Sequence, residues 1–327
     1  MISYLARRLG YAVLILIGVN FFTFVLFFTV NTPDDMARLN IGGKRITQEQ
    51  IEKWKAERGY NKPLYWDDKQ EGTAKLTRTI VWERSVSLLA LDFGSSDARG
   101  AVNIGHEIKV RMGVSLQLAV PVFILQLIAS TAFALTLVFF RHSRIDFWGV
   151  VLCVLMLSIS SLFYIIVGQF MFARVLRLVP ISGYAGGLDA VKFLIMPVLL
   201  SLLARLGSEA RLYRAMLLEE IGKDYVRTAR AKGVAEHLVL FRHVLRNALI
   251  PIITSAGSYL PYVFLGSLVF ESFFGIPGLG AFVIEAITGQ DFAIVRSMVF
   301  LGAVLYIASN VLIDLIYTWV DPRVRLV

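Results

Sequence analysis

Runs of more than 20 apolar residues without a single Asp, Glu, Lys or Arg constrain this chain more than any other feature. Such runs cover 10–30, 114–140, 147–173 and 248–270. Two further runs are nearly as apolar: 193–213 carries Arg205, Glu209 and Arg211 toward one end, and 297–320 carries Asp314. A helix rises about 1.5 Å per residue, so about 20 residues cross the roughly 30 Å of hydrocarbon in a bilayer. Soluble core helices are shorter, and a water-facing surface needs more charge than the 17% present here. The reading is an all-α polytopic membrane protein with six transmembrane helices. The first run is longer than a signal-peptide core and no Ala-x-Ala cleavage site follows it, so it reads as an uncleaved span.

Orientation follows from charge in the short loops. With the N-terminus inside, the cytoplasmic pieces 1–9, 141–146, 214–247 and 321–327 hold 13 Lys and Arg, against 4 in the outer loops 174–192 and 271–296. Both termini are therefore expected in the cytoplasm. Segment 31–113 has 14 basic and 12 acidic residues, and its length removes it from that count. The expected division is 1–30, a cytoplasmic stub and first span; 31–113, an extracytoplasmic insertion; 114–320, a five-helix core with a cytoplasmic loop over 214–247; and 321–327, a cytoplasmic tail. Within the insertion, Thr47-Gln48-Glu49-Gln50 reads as a capping box that starts a helix running to about Arg58 and stopping at Gly59.

Catalytic patterns are missing. His106, His142, His237 and His243 form no metal-ligand spacing, and one cysteine, Cys153, excludes a Cys-based zinc site and reads as buried packing. Neither Gly43-Lys44-Arg45 nor Gly222-Lys223-Asp224 is a phosphate loop: the first lacks Ser or Thr after its lysine, and Leu217 stands where the second needs glycine. No cofactor, metal or catalytic residue is expected in the chain. Asp314 lies seven residues before Asp321, about 10 Å along a helix and near the inner interface, where a pair with Arg205 or Arg211 fits better than proton coupling. Hydroxyl residues cluster in two spans, among them Ser158, Ser161 and Tyr164 in the third and Thr254, Ser258 and Tyr259 in the fifth. Helix packing and a polar pathway would use the same residue types.

The stretch 219–251 is the most informative. Lys223–Lys232 reads as a helix closed by Gly233 in left-handed backbone. Ten residues are too few for a helix stable alone in water, so it must dock on something. Tyr225, Val226 and Ala229 share one face and are expected to make that contact with a partner protein; a loop lying on anionic headgroups is the plainer alternative.

These residues resemble a family. Asp224-Tyr225-Val226-Arg227-Thr228-Ala229-Arg230-Ala231-Lys232-Gly233, followed by Arg242-His243-x-x-Arg246-Asn247-Ala248-x-x-Pro251, is similar to the cytoplasmic loop of ABC importer permeases of the dipeptide/oligopeptide/nickel class. The resemblance extends over most of the chain, through Tyr4-x-x-Arg7-Arg8-Leu9, Lys62-Pro63-Leu64, Leu91-Asp92-Phe93-Gly94-Ser95-Ser96, Leu178-Val179-Pro180, Pro277-Gly278-Leu279-Gly280 and Asp321-Pro322-Arg323-Val324-Arg325. It implies a subunit forming half of a peptide translocation pore in the bacterial cytoplasmic membrane. Its implied partners are a second homologous permease, two ATPase subunits or domains that bind ATP and Mg, an extracytoplasmic substrate-binding protein and membrane lipid. An ion-gradient-driven secondary transporter and a membrane-embedded enzyme are the alternatives. Nucleic acid does not fit, because the basic residues are spread over several loops.

Overall fold

The computed structural model describes residues 2–43, 46–98, 100 and 102–320. The ending 321–327, including Asp321-Pro322-Arg323-Val324-Arg325, lies outside the described residues, as do Lys44 and Arg45. Among the described residues, five helices are long and apolar enough to cross a membrane, and up to seven if two bent pairs each count as a span. The expected six falls inside that range.

Contacts divide the chain into two units. One comprises Met1–Met112 and Phe282–Ala308; the other is Gly113–Ala281 with the stretch that starts at Ser309. The first span, the insertion and part of the C-terminal third thus pack together.

In the first unit, α1 (Ile2–Val30) is followed by α2 (Pro33–Ile41) and α3 (Gln48–Arg58). Both short helices begin with a reciprocal cap. Thr32 and Asp35 cap α2, and Thr47 and Gln50 cap α3, with the Thr47 N–H donating to Gln50 Oε1 at 3.0 Å. α3 stops where expected, at Gly59 with φ 74°. Phe24 and Phe28 of α1 bury against Met36, Ile51, Trp54, Tyr60 and Ile80, so the insertion has an apolar core of its own making with the first helix. Trp54 stacks on Tyr60 at 5.5 Å, and Arg58 and Arg84 cover the two rings.

Buried acids tie the insertion to the start of the last helix, α13 (Phe292–Val320). Asp291 accepts from Ser96 Oγ and from the N–H groups of Asp97 and Ile294. Asp97 accepts from the Tyr60 hydroxyl at 2.8 Å and the Ala293 N–H at 3.2 Å. Burial pushes the Asp97 carboxyl above its ordinary value, opposed by Arg84 and Arg296.

The second unit contains most of α4 (Ile104–Phe139), then α5 (Arg144–Ser158), α6 (Ser161–Gly168), α7 (Ala190–Ile221), α8 (Asp224–Ala231), α9 (Arg246–Gly257), α10 (Leu260–Leu265), α11 (Leu268–Phe274) and the first turn of α12 (Leu279–Thr288). The third apolar run is not one straight helix. It bends by 91° between α5 and α6, because Ser160 caps a new helix by accepting from the Phe163 N–H. The fifth run is also interrupted, by Gly266, and α11 turns by 67° into α12. Glu271 organises that turn. It is fully buried and accepts from the N–H groups of Gly280 at 2.7 Å, Ala281 at 3.2 Å and Ser267 at 3.2 Å.

α5 and α7 approach each other closely. A Cβ at Gly207 would stand 2.5 Å from the Cys153 carbonyl oxygen, so only glycine lets the backbones meet, and Cys153 is buried beneath it. Arg214 of α7 then clamps Asp146 of α5 with two bonds, Nε–Oδ1 2.9 Å and Nη2–Oδ2 2.8 Å.

Candidate functional site: a docking segment and a cavity

Two features of the second unit are candidates. The first is the segment between the long helices. α7 continues through its charged residues to Ile221, and the next long helical stretch starts at Glu236, so within the expected loop 214–247 the part between the long helices is 222–235. Inside it lies α8, capped as expected: Lys223 is extended, and Gly233 has φ 74°. A Cβ at Gly233 would meet nothing within 4 Å, so glycine is required there by backbone conformation alone.

The face of α8 expected to dock on a partner docks on its own chain. Val226 is fully buried and Ala229 is 6% exposed, packed with Ala134, Val138, Tyr213, Leu217, Val239 and Val244. An eight-residue helix cannot hold itself in water, and this apolar contact supplies what it lacks. Polar contacts fasten its edges. The Tyr225 hydroxyl donates to Glu220 Oε2, and burial, followed by that bond, pushes the Tyr225 phenol up to about 12. Arg230 grips Glu236 through Nε–Oε2 at 3.0 Å and Nη2–Oε1 at 2.7 Å, and Arg141 approaches the same carboxylate. Asp224, Arg227, Thr228, Ala231, Lys232 and Gly233 remain exposed, and Leu238 and Phe241 are exposed beside them. The surface open to another molecule is therefore the charged side of α8.

The second feature is a cavity of about 460 Å³ between α4, α7, α9, α10 and α11. Its walls are mainly apolar, and its polar residues are Gln126, Ser201, Arg205, Glu209, Tyr213, Tyr259, Tyr262 and Ser267. Arg205 donates from Nη2 to Glu209 Oε1 at 2.9 Å and lies 3.9 Å above the Tyr259 ring. Arg205, one of the two cations considered for Asp314 beside Arg211, is thus engaged with Glu209, one turn away on its own helix.

Of the six hydroxyl residues singled out in the sequence, Tyr259 lines the cavity. Ser158, Thr254 and Ser258 donate to carbonyl oxygens of their own helices at Val154, Ile250 and Thr254. Tyr164 donates to the Met156 carbonyl, and Ser161 is exposed at the bend. Gln126, Ser201, Arg205, Glu209 and Tyr213 were not anticipated there; an Arg–Glu pair four residues apart inside an apolar run was the available signal.

Tyr213 connects the two features. Its side chain belongs to the cluster beneath α8 and also to the cavity wall, and it is 1% exposed.

Residues 110–326 match the family of binding-protein-dependent transport system inner membrane components. Residues 1–73 match the N-terminal region described for such membrane components. The chain belongs to this family. The permease is 32% identical to a putative peptide transport system permease protein of Brucella abortus, over 99% of each chain. It is 29% identical to an oligopeptide transport system permease of Bacillus subtilis, over 99% of this chain and 100% of the relative, and 28% identical to a dipeptide transport system permease of Escherichia coli, over 99% of each. It is a multi-pass inner-membrane protein and a transport subunit.

Proposed function

We propose that this permease forms half of the pore of an ATP-driven importer for dipeptides or oligopeptides. A second, related permease supplies the other half, two ATPase subunits or domains bind ATP and Mg, and a substrate-binding protein delivers peptide from outside. Both termini and α8 face the cytoplasm. The peptide class is carried over from the names of the relatives.

One observation carries the mechanism: Tyr213 is shared between the packing under α8 and the cavity wall. The ATPases grip the exposed side of α8 at Asp224, Arg227, Thr228, Ala231 and Lys232. Because Val226 and Ala229 are buried against α7, displacement of α8 is displacement of α7, and with it of Arg205, Glu209 and Tyr213. Cavity access then alternates between the two sides of the membrane as the ATPases close and open. The chain's part is mechanical; it makes and breaks no covalent bond.

The test is reconstitution of the permease with its partners in liposomes. Peptide uptake should require ATP, the binding protein and the ATPases together. Uptake driven by an ion gradient without ATP would refute the reading in favour of a secondary transporter. Orientation is checked separately with single cysteines: an external thiol reagent should label a cysteine at Lys53 and miss one at Lys232 in intact cells.

A further inference from the structure

The cavity holds two groups whose hydrogen-bonding capacity its own walls do not fill. A guanidinium has five N–H donors in a planar fork that matches a carboxylate. Arg205 uses Nη2 on Glu209, its side chain stays 37% exposed, and it lines the open space. The Tyr259 ring beneath it fixes the plane of that fork without consuming a donor. Opposite in character is Gln126. Its Nε2 donates to Ser130 Oγ at 2.8 Å, while its Oε1 is buried with no hydrogen-bond partner among the described residues. Gln126 is 4% exposed, so that oxygen is a desolvated acceptor, and such groups carry a cost until a donor arrives. Volume fits too: about 460 Å³ lies within the roughly 300–1,000 Å³ usual for small-molecule sites.

A cationic fork with spare donors and a buried acceptor call for a ligand that offers a carboxylate and an N–H. The last residue of a peptide offers both: its terminal carboxylate and its amide N–H. We propose that Arg205 and Gln126 form a way-station for the C-terminal end of the passing peptide, Arg205 taking the carboxylate and Gln126 Oε1 the amide N–H. Glu209 serves as the resting counter-ion. It holds Arg205 in place when the cavity is empty and competes with the peptide, so the carboxylate is held weakly and released. This inference rests on the peptide-import reading and adds which end of the substrate the pore recognises.

The experiment uses the complete permease–ATPase complex in nanodiscs, without binding protein, so that selection by that protein does not enter. Equilibrium binding is measured for radiolabelled Ala-Phe-Ala and for its C-terminal carboxamide. The free acid should bind more tightly by about tenfold, the ratio given by one charge-assisted hydrogen bond. In the double variant Arg205→Met/Glu209→Gln, which removes the pair without stranding either charge, acid and amide should bind alike. Arg205→Lys keeps the charge without the fork and should retain part of the preference. Gln126→Leu should weaken both ligands equally. Equal affinities in the wild type, or a preference that survives the double variant, overturns the proposal whether or not a given variant assembles. Peptide uptake by the wild-type complex with its binding protein is measured in parallel. Uptake without the acid preference sinks this inference alone, and absence of uptake sinks the peptide reading with it.

Discussion

Charge placed on the two sides of α8 should have opposite consequences. Ala229 is 6% exposed, in contact with the cluster that includes Tyr213, Leu217 and Val239. Ala229→Asp puts a carboxylate there, at a cost of several kcal/mol for an unpaired buried charge. That is a large part of the roughly 5–15 kcal/mol that holds a domain together. Arg227 lies on the other side: its side chain is 74% exposed and its contact with Asp224 is 3.6 Å, a surface pair that adds little to stability. Arg227→Glu should therefore leave the permease folded and reverse the charge on the surface proposed to meet an ATPase. Size-exclusion chromatography in detergent, with a thermal ramp, reads folding; substrate-stimulated ATP hydrolysis in the purified complex reads coupling. Ala229→Asp should lose the monodisperse peak or melt far earlier. Arg227→Glu should elute normally with hydrolysis no longer responding to loaded binding protein. If Ala229→Asp folds and melts like the wild type, the inward packing of α8 is wrong; if Arg227→Glu couples normally, its outer side is not the docking surface.

Three more outcomes are expected. Gly233→Val should cost more than Gly233→Ala, since both force a side chain onto φ 74°, a strain of about 1–2 kcal/mol, and the branched residue adds to it; because nothing lies within 4 Å of the new Cβ, the loss should appear as weakened ATPase coupling in protein that still elutes as assembled complex. Glu271→Ala strands the N–H groups of Ser267, Gly280 and Ala281 in a buried turn, at about 1–3 kcal/mol each, and should shorten the half-life of the detergent-solubilised protein at elevated temperature, while Glu271→Gln should lose less. Asp97 has its folded pKa raised above 3.8, so the folded state binds the proton more tightly; its contribution to stability is greatest below the unfolded value and falls as pH rises through the folded one. Melting of wild type and Asp97→Asn, compared from about pH 4 to about pH 8, should show the variant gaining on the wild type as pH rises, and a constant difference would refute the assignment.

Local features were legible in the sequence. The Thr47–Gln50 box, the stop at Gly59 and the left-handed Gly233 depend on neighbours a few residues away, and each stands where the spacing places it. The bend at Ser160 was hidden because the run 147–173 is apolar throughout, and a serine within it reads equally as a cap or as packing. The helix of the fourth run is longer than the run itself: α7 carries on past Arg214 to Ile221, with Glu209 paired to Arg205 and Arg214 to Asp146. Hydroxyl type also said little about which residues reach the cavity. Ser158 and Thr254 satisfy themselves on the carbonyl one turn back, which any helix permits, whereas Tyr259 is recruited by a cation over its ring.

The longest-range features were the least legible, and they explain why docking and cavity belong together. Ser96 and Asp291 are 195 residues apart, and Ser115 Oγ accepts from the Leu279 N–H across 164. No local pattern announces such pairs, because each partner is an ordinary cap or turn residue by itself. The apolar periodicity of α8 did announce that Tyr225, Val226 and Ala229 must be covered, but not by what. The cover is Tyr213 and Leu217 of α7, one and two turns beyond Glu209. A helix is stiff over two turns, so a force on α8 reaches the Arg205–Glu209 pair without a hinge between them. In the proposed mechanism the buried face of α8 is then the transmitting element and its charged face the receiving one, a division that a partner docked on Val226 and Ala229 could not provide.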